Sequence, residues 1–190
     1  MNLKHPLILA SNSPRRQQLL REMGIPFTVQ VKDTPEDFPE DMPVAEVPGY
    51  LARKKATAFA NDLSNAIILT ADTVVIIDGK ILNKPADAAE ARYMLRTLSG
   101  RMHEVITGVC VLRGEQVQVF SDSVYVYFAA LSDEEIGYYI THHRPFDKAG
   151  AYGAQDWLGL VGIERIEGSY FTVMGLPTHK VYAALREFSH

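Results

Sequence analysis

Two spacings of apolar residues alternate along the chain. The β-branched run from Ala66 to Ile77 favours a central strand buried on both faces. Apolar residues three and four positions apart favour amphipathic helices, which end near a glycine or proline. The predicted strands are residues 7–10, 66–77, 80–82, 105–112, 116–128, 163–166 and 170–174. The predicted helices are residues 14–23, 45–61 and 87–100, a short helix that Ser132 caps before Pro145, and a last helix after Pro177.

Polar, proline-rich and glycine-rich stretches separate these elements. The acidic segment from Lys32 to Pro43 is interpreted as a surface loop or a mobile lid, and the segment from Asp147 to Gly162 as a glycine-rich loop. Asp78-Gly79 predicts a tight hairpin. Helices and strands interleave through hairpins and crossovers, which predicts an α/β fold with a mixed sheet flanked by helices. The 190 residues fit a single domain over 1–190, or two tightly joined lobes.

Charge and cysteine content narrow the classes of function. The formal net charge of −4 gives no sequence-independent attraction to nucleic acid or to an anionic membrane. No segment approaches the roughly 20 apolar residues of a membrane span. The single cysteine, Cys110, cannot build a disulfide framework, so we expect a reducing compartment and a cytoplasmic protein. The sequence has no Walker-type phosphate loop, no dinucleotide-binding glycine motif and no histidine–cysteine set at zinc-ligand spacing.

A phosphate-binding turn is predicted where the first strand meets the first helix, in the sequence S-N-S-P-R-R that begins at Ser11. Ser13 is placed as the N-cap and Pro14 as the first helical residue. Arg15 and Arg16 then occupy the first turn, where the helix dipole disfavours cations. An anion held by backbone N–H groups, both guanidinium groups and the two serine hydroxyls would resolve this conflict. The alternative is a solvated helix face.

Charged residues also interrupt two apolar patterns. Lys55 falls inside the apolar arc of its predicted helix, so its ammonium group must either extend to water or pair with an anion. Asp72 interrupts the buried strand, where an unpaired carboxylate costs several kcal/mol. The alternative is a bulge that brings Asp72 to the surface. Lys84 follows the predicted hairpin, which either returns it to the neighbourhood of Asp72 or leaves it facing solvent.

The sequence from Asp147 to Gln155 is a candidate ligand-binding loop. Its glycines let a ligand approach the backbone closely, and the amide of Gln155 offers a donor and an acceptor that can read the edge of a base. A plain surface loop is the alternative.

Seven motifs follow one another along nearly the whole chain. They are S-N-S-P-R-R (11–16), L-A-R-K-K-A (51–56), A-D-T-V-V (71–75), N-K-P (83–85), L-S-G-R-M-H-E-V-I-T-G-V (98–109), D-K-A-G-A-Y-G-A-Q (147–155) and V-M-G-L-P (173–177). In this order they resemble the Maf family of nucleoside triphosphate pyrophosphatases. The unusual charges and glycines described above all fall within them.

The resemblance implies a fold like that of the inosine triphosphate pyrophosphatases, with an elongated mixed sheet and the active site in a central cleft between two lobes. It implies cleavage of a nucleoside triphosphate to the monophosphate and pyrophosphate, dependence on a divalent metal (Mg, Mn or Co), and a chain able to form a homodimer. By the resemblance, Asp72 matches the catalytic carboxylate, and Lys55 and Lys84 match the active-site lysines. Ser11 and Arg16 match the phosphate-binding turn.

Other positions bear on specificity and on the metal. Arg15, Thr73 and Gln155 match positions that separate the subfamilies, and S-x-S-P-R-R with A-D-T resembles the branch that acts on dTTP and UTP rather than on 7-methyl-GTP. The metal-binding glutamate of the family follows its second strand. Here the resemblance offers Asp33, with further acids close by, so Asp33 and Asp72 are the predicted metal ligands.

The expected mechanism follows from these roles. The basic side chains bind the triphosphate, a metal bridges its oxygens, and water attacks the α-phosphorus, while Asp72 acts either as metal ligand or as general base. Two alternatives remain open at this stage: a pyrophosphatase directed at 7-methyl-GTP or at purines, and a nucleotide-binding regulator of septum formation.

Overall fold

The computed structural model describes residues 3–59 and 65–188. The strands are β1 (Leu7–Leu9), β2 (Thr28–Val29), β3 (Ile67–Ile77), β4 (Lys80–Leu82), β5 (Met102–Arg113), β6 (Gln116–Phe128) and β7 (Ile163–Glu167). The α-helices are α1 (Pro14–Glu22), α2 (Val47–Thr57), α3 (Ala88–Leu98), α4 (Asp133–His143), α5 (Trp157–Gly162), α6 (Tyr170–Val173) and α7 (Thr178–Glu187), and a single 3-10 turn covers Ala149–Ala151. Among these helices, none is both long enough and apolar enough to cross a membrane.

The strands form one seven-stranded mixed sheet in the order β2-β1-β3-β5-β6-β7, with β4 paired to β3. Strand β1 runs parallel to both β2 and β3, whereas the β3–β4 and β6–β7 pairs are antiparallel. Parallel neighbours need long crossover connections, which here contain α1 and α2. The predicted α/β class with a mixed sheet flanked by helices is therefore confirmed.

The chain groups into two compact units, each with an apolar core. Unit 1 comprises Met1–Asp72, Thr107–Asp122 and Gly175–His190, and unit 2 comprises Thr73–Ile106 and Ser123–Met174. In unit 1, the apolar face of α2 packs with residues of β1, β3 and β5 around Cys110. In unit 2, α3, α4 and the loop that follows α4 pack on the sheet around Leu95 and Tyr139. Strands β3, β5 and β6 supply residues to both units.

Local sequence rules account for the starts of three helices. Ser132 and Glu135 form a complete capping box at the start of α4. Asp87 caps α3 by accepting a hydrogen bond from the Glu90 N–H, although the Glu90 carboxylate accepts from Ala86 N rather than from the cap residue itself. Helix α1 starts at Pro14, as predicted.

Two predictions about local structure need correction, and one strand was not predicted. The segment from Asp147 to Gly162 is not only a loop, because it contains the 3-10 turn and α5. The residues Tyr170–Val173 form α6 instead of the predicted strand: Gly168, with φ of +123°, ends β7 and turns the chain, so the β-prone side chains do not continue the sheet. Strand β2 was not predicted, because both of its residues are exposed and leave no apolar pattern. The predicted end of the second helix at Asn61 lies outside the described residues.

One close contact fixes α2 against the sheet. A Cβ atom on Gly108 of β5 would lie 2.3 Å from the backbone of Pro48 and Gly49, in the first turn of α2. Only a glycine allows a backbone approach of this kind without displacement. The start of the helix is therefore set by the strand beneath it, and so is the position of the residues in its later turns.

A histidine is buried in the core of unit 2. His103 is 1% exposed, its Nε2 lies 2.7 Å from the hydroxyl of Tyr152, and its ring packs edge-on against Phe128 and Tyr152. Its Nδ1 has no hydrogen-bond partner among the residues that the structure describes. Burial lowers the pKa of His103 to about 3, so the folded protein holds this ring neutral.

We expect acid to destabilise the protein through His103. An unfolded chain takes up a proton at this residue near pH 6.5, whereas the folded chain does so only near pH 3. Because the unfolded state binds more protons in this window, the free energy of unfolding falls as the pH falls, by about 2 kcal/mol between pH 7 and pH 5. Urea denaturation of the wild type and of His103→Gln at both pH values measures this contribution.

The variant should lose that part of the pH dependence. His179→Gln, which replaces an exposed histidine, is the control for losing one histidine from the chain. An unchanged pH dependence in His103→Gln would contradict the burial of an uncharged imidazole.

Candidate active site

The turn before α1 holds one arginine by fixed acceptors. Arg16 donates from Nε to the carbonyl oxygen of Gly175 at 2.8 Å and from Nη1 to Ser11 Oγ at 3.2 Å. The Ser13 N–H donates to the same Ser11 oxygen at 3.3 Å. Ser11 is 7% exposed, so its hydroxyl oxygen is a buried acceptor that joins both groups. Ser13 occupies the N-cap position as predicted, but its side chain makes no cap hydrogen bond.

The charges in the first turn of α1 remain as the sequence suggested. No acidic residue lies in that turn to balance Arg15 and Arg16. Burial lowers the pKa of Arg16 from its ordinary value, the charge of Asp72 acts against this, Arg15 lowers the pKa further, and Glu36 raises it. The buried Arg16 guanidinium thus has a second cation, Arg15, as its neighbour, and the charges of Asp72 and Glu36 balance this pair only in part.

A lysine joins two acidic side chains beside this turn. Lys55 Nζ lies 2.6 Å from Asp72 Oδ1 and 2.8 Å from Glu36 Oε1. The side chains of Lys55 and Asp72 are only 20% and 13% exposed. Asp72 lies within the continuous strand β3 and is buried, so the proposed surface bulge is wrong. Of the two alternatives for Lys55, pairing with anions is the one that the structure contains.

A hydrogen bond between β3 and α2 positions this ion pair. It joins residues that lie shortly before Asp72 in the strand and shortly before Lys55 in the helix. Thr70 Oγ1 donates to the carbonyl oxygen of Ala52 at 2.6 Å, and both residues are fully buried. Asp72 projects from the same face of β3 as Thr70, since they are two residues apart. Lys55 lies three residues after Ala52 on α2, one turn further along the same face. The Thr70 hydrogen bond therefore sets the register that brings ammonium and carboxylate together.

The acidic loop before α2 contacts both lysines of the helix. Glu36 pairs with Lys55, and the adjacent Asp37 pairs with Lys54 at 2.7 Å. The hydrogen bond from Lys54 lowers the pKa of Asp37 below its ordinary value. The Lys54–Asp37 pair is exposed and contributes little stability by itself. Together with the Glu36–Lys55 pair, it holds the loop against α2. The segment is a loop, as predicted, and its role as a lid remains a prediction.

The carboxylates at this position suit a hard divalent cation in part. Glu36 and Asp72 both direct an oxygen at Lys55 Nζ. Asp33 and Glu36 are both exposed, so the contact with Lys55, not burial, distinguishes Glu36. Within the described residues, no group of three or more histidine, cysteine or acidic side chains has the spacing of a metal site. Magnesium, however, is commonly held by one or two carboxylates together with substrate phosphates. The donor set therefore fits a substrate-assisted metal site better than a site built from protein ligands alone.

Three of the predicted site residues belong to unit 2. Thr73 follows Asp72 directly in β3 and is half-buried, and Lys84 is exposed just after β4. Gln155 lies in the turn before α5, where its Oε1 is buried and has no hydrogen-bond partner among the described residues. A buried amide oxygen without a partner is costly and favours a ligand that donates a hydrogen bond. The cleft predicted between two lobes remains a prediction.

The sequence alone did not identify two members of the cluster in unit 1. The carbonyl of Gly175 holds Arg16 across 159 positions of the chain. Its motif, V-M-G-L-P, was visible, but a backbone acceptor carries no side-chain signal. Gly175 has φ of +107°, a conformation that side-chain-bearing residues rarely adopt, so the glycine itself was the available clue. Glu36 was one of several acids in its loop, and nothing in the sequence ranked it above Asp33.

Comparison with known proteins agrees with the motifs. The family model described as Maf-like protein matches residues 6–188. A dTTP/UTP pyrophosphatase of Porphyromonas gingivalis is 49% identical over 189 residues, which cover 97% of this chain and 95% of the relative. A dTTP/UTP pyrophosphatase of Christiangramia forsetii is 48% identical over 184 residues, 96% of this chain and 94% of the relative.

Among solved structures, a HAM1 protein from Coxiella burnetii aligns with a TM-score of 0.49 and 17% identity, over 96% of this chain and 99% of that chain. The family assignment does not depend on this alignment. The family model covers nearly all of the sequence. The two relatives share about half of their residues with this chain, over nearly the whole length of both proteins. This chain therefore belongs to the Maf family.

Proposed function

We propose that this protein hydrolyses dTTP and UTP to the nucleoside monophosphate and pyrophosphate. The observation that carries the proposal is the buried pair of Asp72 and Lys55 beside Arg16, since a structural domain has no need of such charges in its interior. The substrate comes from the relatives, which carry the name dTTP/UTP pyrophosphatase at 48–49% identity.

The basic groups near α1 and α2 bind the triphosphate. Arg15 and Arg16 lie at the positive end of α1, and Lys55 lies beside Arg16 through their shared carboxylate, Asp72. The cluster of three cations and the two carboxylates Glu36 and Asp72 leaves one net positive charge for a polyanion to neutralise. Arginine forks match phosphate oxygens, and Arg16 is already held in one orientation by Ser11. Lys84 is assigned to the same task by the family motif.

Asp72 acts on the attacking water. Lys55 pairs with its Oδ1, and we assign its second oxygen, Oδ2, to a water molecule or a metal. The water oxygen forms a bond to the α-phosphorus, and the bond from that phosphorus to the oxygen bridging to the β-phosphate breaks. The released proton passes to Asp72 or to solvent, and the pyrophosphate leaves with the bridging oxygen. Lys55 and Arg16 offset the negative charge that develops on it.

A divalent cation is the implied cofactor, and the carboxylates fit it. Glu36 and Asp72 would hold it, with Lys55 yielding its contacts to these oxygens. When bound, such an ion withdraws charge from phosphate oxygens and lowers the pKa of a coordinated water.

Gln155 reads the base. Its buried Oε1 lacks a donor in the described structure, and thymine and uracil both present a ring N–H between two carbonyl oxygens. The glutamine amide, with one acceptor and one donor, complements that edge. Cytosine has an unprotonated ring nitrogen at the same place and leaves the glutamine oxygen opposite an acceptor.

Replacement of Asp72 by asparagine should abolish most turnover. The substitution keeps the shape of the side chain but removes the charge that activates water, so we expect kcat for dTTP to fall roughly 10²- to 10⁴-fold. The assay measures pyrophosphate and orthophosphate separately, with pyrophosphate as the expected primary product. Near-normal hydrolysis by a folded Asp72→Asn protein would refute both roles given to this residue.

The matched control for this variant is Asp78→Asn. Asp78 pairs with Arg101 at 2.6 Å on the surface of unit 2, so the change also removes one paired carboxylate. Its φ of +52° is tolerated by asparagine. Its activity should stay within about twofold of the wild type, because surface pairs contribute little.

Measurements of metal affinity distinguish Glu36 from Asp33 as the second carboxylate ligand. Calorimetric titration with Mn²⁺ in the presence of a non-hydrolysable dTTP analogue should give about tenfold weaker binding for Glu36→Gln, since one of two carboxylate ligands is lost. Asp33→Asn, an exposed acid in the same loop, should bind like the wild type. The reverse order of the two variants would return the metal role to Asp33.

Loss of the Gln155 amide should narrow base discrimination. Gln155→Leu removes the acceptor for the base N–H, so kcat/KM for dTTP and UTP should fall by roughly tenfold, with CTP little affected. The measurement is the ratio of kcat/KM for dTTP to that for CTP. Gln116→Leu, at an exposed position of β6, is the control. If Gln155→Leu keeps the wild-type ratio, Gln155 does not read the base.

A further inference from the structure

A buried phenol braces the segment that carries Gln155. Tyr139 of α4 is fully buried, and its hydroxyl group makes two hydrogen bonds to this segment. It accepts from the N–H of Gly153 at 3.1 Å and donates to Asp156 Oδ2 at 2.9 Å. The two partners lie two residues before and one residue after Gln155, so the phenol spans the turn that presents its side chain.

The phenol stays in the state that makes both bonds. Burial raises the pKa of Tyr139 well above its ordinary value, and the nearby charge of Asp156 raises it further. At neutral pH the oxygen therefore keeps its proton, which is directed to Asp156. Lys148 Nζ lies 3.5 Å from the same Asp156 oxygen and 2.8 Å from Asp147 Oδ1. The positive charge of Lys148 therefore partly balances the negative charge of the Asp156 carboxylate.

The helix that follows departs from a local rule in favour of this contact. Asp156 occupies the N-cap position of α5, where an aspartate normally accepts a hydrogen bond from a backbone N–H of the first turn. Its side chain makes no such bond, and it faces Tyr139 and Lys148 instead. Local rules tend to be broken where a site requires it.

Steric contacts leave the segment little freedom. A Cβ atom on Gly153 would lie 2.7 Å from the Asp156 carboxylate, and one on Gly159 would lie 1.8 Å from the carbonyl oxygen of Ala154. The backbone on both sides of Gln155 is thus packed against its own turn. The packing of this backbone and the two bonds of the Tyr139 hydroxyl thus surround the residue whose buried amide oxygen has no partner within the described residues.

We propose that Tyr139 is a positioning residue for base selection, which acts through the Gly153–Asp156 turn on the direction of the Gln155 amide. This inference rests on the proposed role of Gln155 in reading the base. It assigns to Tyr139 no contact with the substrate. The phenol instead limits the orientations in which the amide can accept a hydrogen bond, and displacements of about 1 Å at a positioned group reduce rates by up to about 100-fold.

The test is Tyr139→Phe, which removes only the hydroxyl and leaves the ring in the core. The kcat/KM ratio for dTTP over CTP should fall by roughly five- to tenfold, whereas pyrophosphate should remain the primary product. Asp156→Ala removes the acceptor of the Tyr139 O–H at a half-buried position. It should shift the ratio in the same direction, and it serves as the second test if the phenylalanine variant does not fold.

Tyr152→Phe is the matched control. It removes the hydroxyl of a second buried tyrosine, which lies in the loop itself and bonds to His103 rather than to Gly153 or Asp156. It should lower the thermal midpoint like Tyr139→Phe yet keep the wild-type base ratio. A base ratio in Tyr139→Phe equal to that of the wild type, or a fall matched by Tyr152→Phe, would overturn the inference.

The base ratio of Gln155→Leu shows whether a negative result concerns only the positioning role of Tyr139 or also the base-reading role of Gln155. A changed ratio in Gln155→Leu together with an unchanged ratio in Tyr139→Phe removes only the positioning role. Unchanged ratios in both variants remove the base-reading role of Gln155 and, with it, the role of Tyr139.

Discussion

The ion pair between Lys55 and Asp72 is the constraint on which the candidate site depends. Removing two charges from water is costly, and their attraction repays the cost only when their geometry is good. Here the two atoms lie 2.6 Å apart, and Glu36 supplies a second partner for the ammonium group. A carboxylate in the middle of an apolar strand is otherwise hard to explain. Replacing a buried ion pair by apolar residues of similar size often leaves the stability of a domain unchanged. Stability therefore does not explain the charge, which favours a chemical role.

The scaffold that holds this pair is made of backbone contacts. Gly108 lets α2 lie directly on β5, and the Thr70 hydroxyl joins β3 to the carbonyl of Ala52. Close-packed interiors permit little adjustment, so these contacts transmit the position of the strand to the side chains of the helix. The turn before α1 is organised in the same way, with Arg16 held by Ser11 and by a backbone oxygen of Gly175. Site residues placed on rigid elements need little reorganisation when a ligand binds.

The glycine-rich loop of unit 2 reaches order by different means. It has little regular structure, and the turn around Gln155 is held from behind by Tyr139, whose hydroxyl bonds to both sides of that turn. A buried hydroxyl suits this purpose because it offers direction without a net charge. The loop can therefore present a fixed amide although its own backbone is rich in glycine.

The sequence by itself determined most of the elements and the chemical types of the candidate site. The β-branched run fixed β3, the proline after Ser13 fixed the start of α1, and the misplaced charges of Lys55 and Asp72 marked the site, because these signals are local. The tertiary structure decided which groups meet. Lys55 pairs with Glu36 rather than with Asp33, and Arg16 donates a hydrogen bond to the carbonyl oxygen of Gly175. Local sequence patterns do not show such contacts, because they join residues tens to more than a hundred positions apart in the chain. The helix at Tyr170 was missed for a different, local reason: the turn at Gly168 ends β7, so the β-prone side chains that follow do not continue the sheet.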